Sequence, residues 1–192
     1  GPAGGRGILL GGVPGTPRGR VVVIGGGVAG THAAQMAVGL GAHVTIVDVS
    51  IPRLRVLDEQ FSGRVDTRVS SRSAISDLVA DADLVVGSVL VPGAAAPKLV
   101  TLDMVERMRP GSVLVDIAVD QGGCFEGTHA TTHSDPTYPV HDAIYYAVAN
   151  MPGAVPLTST LALTNATLRY TIALADQGVD AALAADPSLA AG

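Results

Sequence analysis

The stretch Arg20-Val21-Val22-Val23-Ile24-Gly25-Gly26-Gly27-Val28-Ala29-Gly30 constrains the fold more than any other part of the sequence. Its β-branched half suits a buried strand. Residues 28–40 continue with apolar residues at helical spacing, and Gly41 suits a C-cap. Between strand and helix, Gly25, Gly27 and Gly30 fit G-x-G-x-x-G. The first glycine permits a tight turn, the second lets backbone approach a pyrophosphate, and the third lets the helix pack close to the strand. The helix start, including Val28 and Ala29, offers N–H groups and a positive dipole end to phosphates. In a chain with 24 glycines the pattern alone says little. The strand before it and the helix after it give it weight.

The rest of the chain repeats that alternation. Strands are expected at 43–47 (ending on Asp48), 64–69, 84–87, 113–116 and 143–148. Helices are expected at 52–61, 74–80, 102–108 and 156–177. A Pro/Gly loop is expected at 91–97 and an irregular stretch at 121–139. Strands alternating with helices imply an α/β fold with a parallel sheet and right-handed crossovers. Six strands with a glycine loop after the first predict a doubly wound Rossmann sheet in the order 3-2-1-4-5-6. Ligands in such sheets lie beyond the carboxyl ends of the strands, here near Gly25, Asp48, Ser70, Ser88, 117–120 and 149–151. Residues 1–156 are expected to form this domain, with 1–19 as a Gly/Pro-rich lead-in and 157–192 as a helical tail.

Asp48 stands eighteen positions after Gly30, where a carboxylate that binds the adenosine ribose belongs. It should accept hydrogen bonds from both ribose hydroxyls and repel a 2′-phosphate, which points to NAD. Arg53 and Arg55 follow closely and keep NADP in play as a minor option.

Composition narrows the function classes. The formal net charge is −5 and no basic tract occurs, which argues against nucleic-acid or anionic-membrane partners. The long uncharged stretch 143–168 contains Asn150, Pro152, Gly153 and Pro156, so no transmembrane helix is expected. A single cysteine, Cys124, fits a reducing cytoplasm.

Other candidates are less specific. Asp116 reads as a structural acid tying down loop N–H groups. Asp120, just past the strand end, reads equally as a loop acid or as a group facing the nicotinamide. His129 and His133 read as solvated loop histidines, and no metal site is expected. Cys124 reads as a small buried hydrophobe and His32 as a surface or packing residue.

Several longer segments carry a resemblance. They are Gly11-Gly12-Val13-Pro14-Gly15, Val89-Leu90-Val91-Pro92-Gly93, Ala96-Pro97-Lys98-Leu99-Val100 and Val115-Asp116-Ile117-Ala118-Val119-Asp120-Gln121-Gly122-Gly123-Cys124-Phe125-Glu126, with Val148-Ala149-Asn150-Met151-Pro152 and Thr158-Ser159-Thr160. With the glycine loop, these resemble the NAD-binding domain of bacterial alanine dehydrogenase over nearly the whole chain.

The resemblance implies an NAD-dependent oxidoreductase that converts L-alanine and water to pyruvate and ammonium, usually as a homohexamer. It implies that Asp48, Arg53 and Ser70 hold the adenosine end. Val89 and Leu90 would line the groove, and Ile117, Ala118, Val119, Asp120, Val148, Ala149, Asn150 and Met151 would flank the nicotinamide riboside. Asp120 matches the family's acid beside the nicotinamide and substrate. The family's substrate-binding Arg and Lys and its catalytic His belong to an N-terminal domain. The present chain is therefore expected to bind NAD(H) without catalysing the reaction alone. The positions matching a metal-linked Glu and His in some members are Ala173 and Gln177. Two alternatives stand beside this reading: the NAD(H)-binding subunit of proton-translocating transhydrogenase, and a non-catalytic NAD-sensing module. The transhydrogenase family usually has Glu-Gln-Gly-Gly-Asn where this chain has Asp120-Gln121-Gly122-Gly123-Cys124.

Overall fold

The computed structural model describes residues 4–90 and 96–191. It contains a unit ending at Ala149 and a second one beginning at Asn150. In the first, β1 (Arg20–Ile24), β2 (His43–Asp48), β3 (Asp66–Val69), β4 (Leu84–Gly87) and β5 (Val113–Asp116) alternate with α1 (Val28–Gly39), α2 (Ile51–Phe61), α3 (Arg72–Ala80) and α4 (Leu102–Glu106). A hairpin of β6 (Thr137–Val140) and β7 (Ala143–Tyr146) follows.

The seven strands of the described residues form one sheet in the order β3-β2-β1-β4-β5-β7-β6. The six parallel strands keep the expected 3-2-1-4-5-6 order, with β7 in the sixth place. The correction is β6, which pairs antiparallel with β7 at the sheet edge and takes up the last three residues of the stretch read as irregular, together with Val140. Asp135-Pro136 and Pro139 look like strand breakers in the sequence. A proline is tolerated on an edge strand because its missing N–H needs no ladder partner. The turn between β6 and β7 is held by His141 in the left-handed region (φ 51°).

The β-branched run of β1 is buried along Val21–Ile24 because both sheet faces are covered. Strand periodicity divides it between two cores. Val22 and Ile24 pack with Ile75, Val79, Met104, Phe125 and Tyr145. Val21 and Val23 pack with Ala34, Ala37, Leu57 and Phe61. The alanines let α1 lie close to the sheet.

Helix starts follow local chemistry. The Ser50 side chain accepts from the Arg53 N–H and opens α2 one residue earlier than expected. The Ser71 side chain accepts from the Ala74 N–H and opens α3 at Arg72 rather than 74. The expected strand 64–69 begins at Asp66, the strand 143–148 ends at Tyr146, and the helix 102–108 ends at Glu106. Most of the expected 91–97 loop lies outside the described residues.

The second unit contains a 3-10 turn (Met151–Ala154), α5 (Pro156–Gln177), α6 (Val179–Ala185) and α7 (Pro187–Ala190). Helix α5 has no buried residue, so Leu157, Leu161, Leu163, Leu168 and Ile172 are exposed. Among the described residues, no helix is long and apolar enough to cross a membrane.

Candidate functional site

Parallel order puts the carboxyl ends of β1, β2, β3 and β4 on one rim. A cleft of about 810 Å³ lies there, lined by residues that include Gly25, Gly27, Val28, Ala29, Asp48, Ser70, Val89 and Leu90. Eight of the sequence-expected cofactor residues thus share one concavity, larger than two further clefts of about 380 and 300 Å³ among the described residues. Ser88, expected at a strand end beside the ligand, also lines it, whereas sequence reasoning missed Val49, Pro97 and Leu99. Val28, Val49 and Leu90 are 78%, 79% and 62% exposed, leaving apolar side chains on the cleft for a flat ligand to cover.

The three motif glycines have distinct geometries. Gly25 lies at φ +100°, and a Cβ on it would sit 2.9 Å from the Ser88 carbonyl oxygen. A Cβ on Gly30 would lie 1.8 Å from the Gly25 carbonyl oxygen and 2.5 Å from Ser88 Oγ. No residue with a side chain fits at either place. Gly27 is different: its φ of −67° suits any residue, and a Cβ there would meet nothing within 4 Å. Its bareness is therefore unexplained by the protein's own packing, and it leaves the backbone open to close approach from the cleft. The first bond of α1 runs from the Thr31 N–H to the Gly27 carbonyl (2.9 Å), leaving the N–H groups of residues 28–30 without acceptors in the helix. Those donors are suited to a pyrophosphate.

The loop is clamped from outside the motif. Ser88 donates its hydroxyl to the Gly25 carbonyl (2.9 Å). Asp48 Oδ2 accepts the Gly26 N–H (2.8 Å), and its Oδ1 accepts the Ser50 N–H (2.8 Å). Each carboxylate oxygen retains a further lone pair, so the acid can still receive two hydroxyls. Arg53, expected near the adenosine, directs its guanidinium onto the loop: Nε–H donates to the Gly26 carbonyl (2.6 Å) and an Nη2–H to Thr31 Oγ1 (2.8 Å). Nothing in the sequence marks Ser88 or Thr31 for these roles.

Next to this cleft, the end of β5 is tied to β4 by the Ile117 N–H donating to the Gly87 carbonyl (2.8 Å). Asp116 is fully buried. It accepts the N–H groups of Ala118 (3.2 Å), Cys124 (3.1 Å) and Phe125 (3.3 Å), so it organises the turn that follows. Gly123 must be a glycine there, since a Cβ would lie 2.5 Å from Asp116 Oδ2 and its φ is +75°. The turn carries Asp120 on a 3-10 helix (Val119–Gln121), exposed to solvent. Lys98, whose role the sequence did not signal, donates its ammonium to the carbonyls of Gly122 and Gly123, and the Ala96 N–H donates to the Gln121 carbonyl (3.0 Å). Ala118 packs against the same core as Val89.

Val148 bridges to Thr131 beyond β7, and the Ala149 N–H donates to the Thr131 carbonyl (3.1 Å). Asn150 and Met151 open the second unit, Asn150 with left-handed backbone (φ 56°) before the Met151–Ala154 turn. His129 stacks on Tyr138 with ring centroids 3.8 Å apart. Cys124 is fully buried, and burial, with the nearby Asp116 charge, pushes its thiol up to about 11. It is an inert hydrophobe rather than a nucleophile. Among the described residues, no group of three or more His, Cys, Asp or Glu could hold a metal ion.

Residues 2–192 match the family described as "Alanine dehydrogenase/PNT, C-terminal domain". The alanine dehydrogenase of Mycolicibacterium smegmatis is 60% identical over 189 residues, covering 98% of this chain and 51% of that protein. That of Bacillus subtilis is 57% identical over 192 residues, covering 100% of this chain and 51% of that protein. A solved L-alanine dehydrogenase superimposes with a TM-score of 0.92 at 56% identity, over 97% of this chain and 52% of the other. A transhydrogenase from Sinorhizobium meliloti gives a TM-score of 0.65 at 32% identity, over 76% of this chain and 41% of the other. The chain spans about half the length of the curated relatives it matches.

Proposed function

The chain belongs to the alanine dehydrogenase/PNT C-terminal domain family, and on that premise we propose that it is the NAD-holding half of an L-alanine dehydrogenase. The observation that carries this is the pairing of Gly27, bare with no packing reason, with Asp48 across one apolar cleft. Gly27 and the first turn of α1 would receive the pyrophosphate. Asp48 would receive the adenosine ribose hydroxyls, with Ser70 at the adenosine end and Arg53 bracing the glycine loop rather than touching the adenosine. Val89 and Leu90 would cover the groove. The residues 117–120 and 148–151 would border the nicotinamide riboside. When bound, NAD⁺ supplies the acceptor for the hydrogen that leaves the alanine α-carbon.

What the chain itself contributes is binding, orientation and one acid. Asp120, held on a turn that Asp116 and Lys98 brace, would orient the water that replaces the amine and move its proton. The products are pyruvate, ammonium, NADH and a proton. We place the substrate wall in the remaining half of the relatives' length, with residues up to 156 as the cofactor domain and the tail from Leu157 packed against that wall. The exposed apolar face of α5 supports this placement of the tail. Taken alone, the chain would bind NAD(H) and not turn over alanine. The whole enzyme would work in the cytoplasm as a homo-oligomer, a hexamer by family resemblance.

The test is Asp120→Asn in the complete enzyme. It should lower kcat by about 100-fold or more, the range of a lost acid–base group, while the Kd for NADH changes by less than about threefold. Unchanged turnover would remove Asp120 from the reaction.

A further inference from the structure

Arg53 is the first cation after Asp48, and an arginine there could serve a 2′-phosphate well, since its planar fork matches phosphate oxygens. Its surroundings direct it elsewhere. Nε–H donates to the Gly26 carbonyl at 2.6 Å and Nη2–H to Thr31 Oγ1 at 2.8 Å. Thr31 is only 6% exposed, and its hydroxyl donates onward to the Gly27 carbonyl at 2.7 Å. The guanidinium therefore ends on two fixed acceptors at the start of α1.

Asp48 has the opposite placement. Its Oδ2 takes the N–H of the same Gly26, so acid and cation grip one peptide residue at its two polar groups. A Cβ at Gly26 would lie 3.1 Å from Asp48 Oδ2 and 3.7 Å from Arg53 Cγ. Asp48 lines the cleft, as do Gly25, Gly27, Val28 and Val49, whereas Arg53 is absent from the lining among the described residues. The cleft rim thus presents the charge that repels a phosphate and withholds the one that would attract it.

We propose that Thr31 and the Gly26 carbonyl form a latch that keeps Arg53 off the ribose side of the cleft, making Thr31 a determinant of NAD over NADP selectivity. The proposal rests on the reading of the cleft as a dinucleotide site. Selectivity then has two parts: repulsion by Asp48, and sequestration of the cation that could compensate for it. Removing the Thr31 hydroxyl frees one arm of the guanidinium and lets it swing toward a 2′-phosphate.

The experiment is a fluorescence titration of the chain with NADH and NADPH in an Asp48→Ser background, where repulsion is gone. Adding Thr31→Val should raise the NADPH-to-NADH affinity ratio about fivefold to tenfold, the effect of one charge-assisted contact. Thr31→Ser restores the hydroxyl and should return the ratio to that of Asp48→Ser alone. Adding Arg53→Met to Thr31→Val should abolish the gain. If Thr31→Val does not fold, Thr31→Ala removes the same acceptor and carries the same expectation. A ratio that stays within twofold, or a gain that survives Arg53→Met, overturns the latch. Failure of the unmutated chain to bind NADH overturns instead the cofactor reading beneath it.

Discussion

Gly27 and Gly30 are three positions apart in one motif, the first at the N-cap of α1 and the second inside it, yet alanine at each should fail in a different way. At Gly30 the new methyl would lie 1.8 Å from the Gly25 carbonyl oxygen and 2.5 Å from Ser88 Oγ. Ordinary contact needs about 3.4 Å or more, so α1 must withdraw from the end of β1 by roughly 1.5 Å. Overpacking of this kind costs about 3 kcal/mol or more, which lowers Tm by roughly 6 °C or more in a chain of this size. At Gly27 the methyl meets nothing within 4 Å and φ is −67°, so no strain arises. The modest entropy gain of Gly→Ala and the modest loss at an N-cap roughly cancel, leaving Tm within about 3 °C. Binding should behave otherwise. A methyl at Gly27 holds phosphate oxygens away from the N–H groups of the first turn. Two charge-assisted bonds at about 1.5–3 kcal/mol each make that about a 100-fold loss of NADH affinity or more. Thermal denaturation and NADH fluorescence titration on both variants separate the cases. If Gly27→Ala binds NADH within twofold of the parent, the backbone there is not where the pyrophosphate approaches and the reasoning fails.

Two further predictions concern the turn after β5. Asp116→Asn turns one acceptor oxygen into a donor facing backbone N–H groups, so it should cost about 2–4 kcal/mol in urea denaturation; a loss under about 0.5 kcal/mol would show that the acid does not hold the turn. The Cys124 thiol is raised in the fold from its ordinary 9.0 to about 11 by burial. The unfolded chain therefore loses this proton first, and the associated stability is complete below pH 9 and lost as pH rises toward 11. The loss is at most about 3 kcal/mol. Cys124→Ala should flatten the fall in stability between pH 8 and 10.5, and an equally steep fall in the variant would contradict the assignment.

Local pattern carried much of this molecule. The β-branched run of β1 and the glycine turn after it each announce their place in the fold by residue type and spacing, because the strand–turn–helix unit is contiguous in sequence. Asp116 was legible for the same reason: an acid at a strand end has nearby N–H groups to bind. The edge strand β6 was hidden by Pro139, which only a paired edge position makes tolerable. Thr31, Ser88 and Lys98 were hidden because their partners are distant in sequence. Arg53 reaches Thr31 across 22 positions, Ser88 reaches Gly25 across 63, and Lys98 reaches Gly122 across 24. Such clamps exist only once the sheet has aligned its strand ends. Arg53 illustrates the limit best. Its position in the sequence suggests a contact with the adenosine, while its side chain acts on the loop that would hold the pyrophosphate.

Whether the cleft between the glycine loop and Asp48 holds NAD(H) is decided by calorimetric titration of this chain with NADH and NADPH. Saturable one-to-one binding of NADH is expected, with NADPH at least about tenfold weaker because Asp48 would face its 2′-phosphate. No heat with NADH, or equal affinity for the two, would contradict it.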